Sequence, residues 1–271
     1  MISRVSTIII SISLFFQSYS QESSYEKMNL KGEVKTILQT EYGMGDNASF
    51  KRIKYGFDIR GNKTEEVLTD ESGAIQYKSM YRYDKEGRMI SESLTDNQVD
   101  FSLGKSHKYS GNRLIETRVS SKGKLITVMT YRYDTVNVVK RGPDSLKISY
   151  NDADKNWEIT TFRYDRSGNL VEEINEQSDG DYFRYLYKYD ENNRRIEKAE
   201  FNRQGRSVFK AEYEYDEYGN VSREYSGYTG GMNTNLTYVY VYDDKGNWVE
   251  MREQSEGKTF VLSIRSIEYY K

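Results

Sequence analysis

The sequence predicts an all-β fold: an antiparallel meander of repeated hairpins forming one strongly twisted, curled or partly closed sheet with a tyrosine-rich inner face. Three observations carry this. A strand–turn–strand unit recurs about every 26 residues. Aromatic residues inside each unit are spaced by two, the period of a strand face. Proline, which removes a ladder donor, occurs once in 271 residues, at Pro143.

The repeat is marked by the residue that opens its turn: Asp58, Asp84, Ser110, Asp134, Asp165, Asp190, Asp216 and Asp243. The residue before each marker is aromatic: Phe57, Tyr83, Tyr109, Tyr133, Tyr164, Tyr189, Tyr215 and Tyr242. Two residues earlier stand Tyr55, Tyr81, His107, Tyr131, Phe162, Tyr187, Tyr213 and Tyr240. Both sets therefore share one face. Gly56, Arg82, Lys108, Arg132, Arg163, Lys188, Glu214 and Val241 lie between them and face the other way. A helix would need apolar spacings of three and four, which are absent.

The turn has a mechanism. An aspartate carboxylate accepts hydrogen bonds from the backbone just ahead, and a glycine three residues on adopts positive φ. Gly61, Gly87, Gly168, Gly219 and Gly246 hold that place. Asn193 holds it after Asp190, as does Asn137 after Asp134, and asparagine is the next-best residue for a left-handed backbone. A second turn in each period falls at Gly73, Gly123, Gly180, Gly205, Gly231 and Gly257. Eight units at two strands each give about sixteen strands, more than a twisted sheet carries without curling. The interval 134–165 is irregular, and an extra segment from Lys147 to Trp157 predicts a distorted or additional hairpin there.

The chain divides into a signal peptide at 1–20, a polar lead-in at 21–29 and the repeat domain at 30–271. Arg4 precedes an apolar run, Val5 to Phe16, and Ser18 and Ser20 place small residues before Gln21. The run is too short for a membrane span, so the mature chain is expected to have none. These features predict export to the periplasm or the cell surface.

Composition narrows the function. Mean hydropathy is −0.86, with 36% hydrophobic and 30% charged residues, values that point towards disorder unless something else supplies a core. The 26 tyrosines do so, since each ring buries apolar area while its hydroxyl keeps hydropathy low. A net charge of −2 offers no basic field for a phosphate backbone, so no nucleic-acid partner is expected. With no cysteine, disulfides, thiolate catalysis and thiolate metal sites are excluded.

The segments YRYDKEGR, FRYDRSGN, YEYDEYGN and YVYDDKGN resemble the YD repeats of the Rhs family of bacterial secreted and cell-surface proteins, over nearly all of residues 50–260. The resemblance implies long, curled β-sheets, which in that family form a shell around a toxin or act in cell-surface contact and carbohydrate binding. This chain is short and lacks the proline-containing motif that ends the family's core. The resemblance therefore implies a free-standing module without a toxin domain.

No catalytic residue, cofactor or metal site is expected. His107 occupies an aromatic position of the repeat and lacks a nucleophile to activate. Glu172, Glu197, Glu224 and Glu250 recur with the repeat and read as a solvated sheet face. Asp152 and Asp154 open like a calcium loop, but Trp157 and Arg163 stand where its glycine and bidentate glutamate belong. The Asn-x-Ser/Thr triplets at Asn47, Asn62, Asn220 and Asn235 carry no weight in a bacterial chain. Trp157 and Trp248 are the candidates for ligand contact. The residues thus predict a non-catalytic, exported module binding carbohydrate or protein. A carboxylate-based polysaccharide hydrolase and an outer-membrane barrel are the alternatives.

Overall fold

The structure is a computed structural model that describes residues 28–45, 48–130, 145–151 and 156–271. Side chains from 130 to 158 are not part of that description. The expected signal peptide, Asn47, Tyr131, Tyr133, Asp134, Asn137, Pro143, Asp152, Asp154 and the Trp157 side chain lie outside it.

Among the described residues eighteen strands form one antiparallel sheet. The first six are β1 (Val34–Gly43), β2 (Ser49–Phe57), β3 (Lys63–Thr69), β4 (Ile75–Tyr83), β5 (Met89–Asp96) and β6 (Phe101–Ser110). Then come β7 (Arg113–Ser121), β8 (Lys124–Thr130), β9 (Ser145–Asn151), β10 (Asn156–Tyr164), β11 (Leu170–Gln177) and β12 (Tyr182–Tyr189). The last are β13 (Arg195–Phe201), β14 (Ser207–Tyr215), β15 (Val221–Tyr228), β16 (Asn233–Tyr242), β17 (Trp248–Ser255) and β18 (Lys258–Tyr269). The sixteen expected strands correspond to β2–β17. β1 and β18 flank them. In the irregular interval β9 and β10 form one hairpin, with no extra strand among the described residues.

Successive strands pair from β2 to β8 and from β9 to β18. β1 joins the two runs, pairing with β2 on one side and β18 on the other. The ends of the sheet are then β8 and β9, which lie in contact without a ladder register among the described residues. The sheet curls back on itself and, among the described residues, is not closed into a hydrogen-bonded barrel.

The turns explain why the unit repeats. In the Asp216 turn the carboxylate accepts from Tyr218 N at 3.0 Å and Asn220 N at 2.8 Å, while Gly219 N donates to Asp216 O at 3.1 Å. Gly219 has φ 86° and its counterpart Asn193 has φ 59°. The same bonds recur at Asp58, Asp84, Asp165, Asp190 and Asp243. Two of the return turns, at Lys122-Gly123 and Glu256-Gly257, have both residues at positive φ, which matches the strand twist.

Each aspartate turn among the described residues is followed by a β-bulge. The registers shift between Arg163 and Tyr164, Lys188 and Tyr189, Glu214 and Tyr215, and Val241 and Tyr242, so two residues of the second strand face one of the first. The second tyrosine of a unit also binds the preceding unit. Tyr83, Tyr109, Tyr189 and Tyr215 donate to the carbonyls of Lys63, Met89, Leu170 and Arg195 at 2.7–2.9 Å. A phenylalanine could pack there but could not make this bond.

The aromatic face is the concave one. On β14, Tyr213 and Tyr215 are half-buried while Lys210, Glu212 and Glu214 are exposed. Among the described residues two buried hydrophobic clusters occur, both small and local. One joins Leu103, Val119 and Met129 on β6–β8. The other joins Leu30, Val34, Ile37 and Phe57 at the β18–β1–β2 seam, with Met28 packed against it. The lead-in thus ends in structure: Asn29 donates to Tyr218 O and Asn220 Oδ1 at 3.0 Å. Buried Asn247 bonds both the N–H and the carbonyl of Lys31, at 2.7 and 2.8 Å.

Candidate functional site

The two faces of the sheet use charge differently. On the outer face, carboxylates sit between cations of the flanking strands. Glu172 is held by Arg163 and Arg184 at 2.6 Å each, and Glu197 by Lys188 at 2.9 Å and Lys210 at 3.2 Å. Glu65 lies between Lys54 at 2.8 Å and Lys78 at 3.2 Å. This corrects the expectation of a uniformly solvated face, since Glu172 is buried under its two arginines. Glu224 does not belong to the set. It stands five residues beyond its turn residue where Glu172 and Glu197 stand four beyond theirs, so it lies on the concave face, opposite Tyr213, whereas its neighbour Arg223 takes the outer place opposite Glu214.

On the concave face the corresponding positions lie between tyrosine rings. The bulge puts residues three apart on one side of the strand, as the Lys63–Glu66 ion pair at 2.6 Å shows. Tyr187 donates to Glu173 at 3.0 Å, and Tyr77 to Glu66. Burial raises the Tyr187 hydroxyl, as does the charge of Glu173. His107 is buried, with Nδ1 2.9 Å from Thr117 Oγ1, and burial lowers its pKa. It fills the ladder in this setting.

Two regions of the concave wall concentrate charge. At the β16–β1 seam, the guanidinium carbon of Arg265 stands 3.3 Å from the Trp248 ring centroid, and Arg265 Nε donates to Gln39 at 2.8 Å. Burial pushes Arg265 down to about 10, against the opposing pull of Tyr55, Tyr240 and Glu41. Its Nη1 and the Ser263 hydroxyl have no hydrogen-bond partner among the described residues. Glu253 is raised, first by burial and then by Glu224 and Glu41. One face of Trp248 is therefore occupied by Arg265, which sequence spacing did not reveal.

The second region is on β13. Arg195 lies over the rings of Tyr187 and Tyr213, 5.6 Å from each centroid, and Lys198 Nζ is 4.8 Å from the Tyr185 centroid. Of the ladder residues, Tyr81 accommodates Lys63 at 4.9 Å, Phe162 is buried, and Tyr242 stacks on Tyr218 at 4.0 Å and donates to Asp216. Tyr164 and Tyr240 are half-buried on the same face. No group of three or more His, Asp or Glu side chains able to hold a metal occurs among the described residues.

No protein-family model and no curated protein matches the chain. Among solved structures it is similar to a porin-like protein from Bacteroides uniformis, at 13% identity and a TM-score of 0.46, over 88% of this chain and 98% of that one. A porin-like protein from Bacteroides vulgatus matches over the same shares at 11% identity and a TM-score of 0.39. The Photorhabdus luminescens Tc holotoxin pore matches over 86% of this chain and 18% of that one, at 11% identity and a TM-score of 0.19. Likeness at this level carries no argument about ligand, activity or location.

Proposed function

We propose that the chain is a non-catalytic, exported YD-repeat module that binds a carbohydrate or protein ligand on its concave face, in the periplasm or at the cell surface. One observation carries this reading: the concave tyrosines are only half-buried and alternate with charged groups, so the wall offers ring faces, donors and acceptors to a ligand. The outer wall supports a module in water over a lipid-embedded barrel, because a lipid band would have to hold the Lys54–Glu65–Lys78 and Arg163–Glu172–Arg184 clusters. Glycan arrays and pull-downs with the full chain test the binding. Reproducible capture supports it, and capture of nothing in either format overturns it. Partitioning into buffer without detergent tests the aqueous setting.

A carboxylate hydrolase is the second reading, and Glu253 favours it. A carboxyl held above its ordinary range beside other acids is what general-acid chemistry requires. Turnover of a polysaccharide that disappears in Glu253→Gln would replace the non-catalytic reading with this one.

A further inference from the structure

The same two concave positions can be followed from unit to unit. They are the residue two beyond the turn glycine and the residue five beyond it, brought to one face by the bulge. After Gly61 they are Lys63 and Glu66, which form an ion pair at 2.6 Å. After Gly168 they are Leu170 and Glu173, and after Gly219 they are Val221 and Glu224. After Asn193 they are Arg195 and Lys198, two cations, where each of those three units carries an acid and at most one base.

Neither cation has an ion pair or a side-chain hydrogen bond among the described residues. Their contacts are tyrosine rings, which attract a cation through the ring face but leave its N–H donors unsatisfied. The nearby acids do not close the gap. Glu173 receives the Tyr187 hydroxyl, and both Glu200 and Glu173 act on Lys198 through charge without an ion-pair contact. Burial and the Arg195 charge both weaken the hold of Lys198 on its proton. Two like charges half-buried side by side without a direct ion pair are costly to maintain. An incoming oxyanion would offset that cost by bridging them with charge-assisted hydrogen bonds.

We infer that Arg195 and Lys198 form an oxyanion subsite on the concave wall, which takes a carboxylate or phosphate group of a ligand framed by Tyr185, Tyr187 and Tyr213. This rests on the reading of the concave face as a binding surface and adds the chemical class of one ligand group.

The test uses the full chain and calorimetric titration with sodium acetate and with inorganic phosphate at fixed ionic strength. Saturable binding is expected for at least one anion, acetate binding pointing to a carboxylate group and phosphate binding to a phosphoryl group. Lys198→Thr and Arg195→Leu install residues that sister units carry at these places, Thr117 and Leu170, so the fold accepts them. Each should weaken the anion by about tenfold or more, and Arg195→Lys should retain most of the affinity. Unchanged affinity in both variants, with circular dichroism intact, would overturn the subsite, as would no saturable binding to either anion. If the subsite fails while arrays or pull-downs still capture a ligand, the binding module stands and only the anion assignment falls.

Discussion

The unit that turns at Asp190 and the unit that turns at Asp216 share a backbone and carry opposite charges. On the outer face the first has Lys188 opposite Glu197, and the second has Glu214 opposite Arg223. Both members changed sign, and both pairs remain ion pairs, at 2.9 and 3.7 Å. On the concave face the first has Lys198 opposite Tyr187 and the second Glu224 opposite Tyr213. There the change is single and nothing compensates it. Outer charges thus answer to each other and hold the sheet. In these two units the concave charges are free of that pairing, unlike Lys63 and Glu66.

The largest effect should come from acid, because the turn aspartates of many units titrate together. Asp84, Asp165, Asp190 and Asp243 are pushed up by burial but more than offset by the hydrogen bonds they accept, so each ends below the usual range. Asp70 is lowered chiefly by the Ser72 hydroxyl. A depressed carboxyl stabilises the fold above its unfolded pKa, about 4, and loses that contribution as pH falls through its folded value. Urea midpoints should therefore hold above about pH 4 and drop steeply below it. A flat profile to lower pH would break the account of the turns. Glu253 has the opposite sign, being raised, so its contribution is lost as pH rises, and Glu253→Gln should gain stability at neutral pH.

The next effect sharpens the comparison at the turn itself. Gly219→Asn reproduces Asn193 of the sister unit and should cost less than about 1 kcal/mol, whereas Gly219→Val should cost about 2–3 kcal/mol. Space does not decide this, because a Cβ at Gly219 would meet Asn29 at an ordinary 3.5 Å. The backbone, at φ 86°, does. Thermal unfolding of the two variants would show it, and equal losses would refute the geometric role.

Tyr215→Phe keeps the ring and removes the 2.7 Å bond to Arg195 O, so a loss of about 1 kcal/mol is expected in denaturant unfolding. The smallest effect belongs to the outer pairs. Glu214→Lys places like charges across the ladder and should cost about 0.5 kcal/mol, and adding Arg223→Glu should restore the loss. A double variant no better than the single would show that the exchanged signs are unrelated.

Much of the fold was legible because its signals are local. Asp-x-x-Gly turns and aromatics at every second position need only a few bonds of chain, so Tyr213, Tyr215, Asp216 and Gly219 could be assigned from spacing. The site was less legible. Glu224 read with Glu172 and Glu197 although it stands one residue further from its turn and faces the other way. A bulge shifts face parity by one and no residue type announces it, so Arg195 and Lys198, three apart, share a face that period-two spacing alone does not give them.

The sequence by itself determined the period, the strand type, the aromatic face and the turn chemistry, since these depend on dihedral preference and period-two patterning within one hairpin. The tertiary structure decided that β1 lies between β18 and β2, that Trp248 gives one face to Arg265, and that the β13 cations stand together without an ion pair among the described residues. These depend on ladder register, bulges and sheet curvature, which join residues as far apart as Val34 and Tyr269 and leave no mark in local spacing.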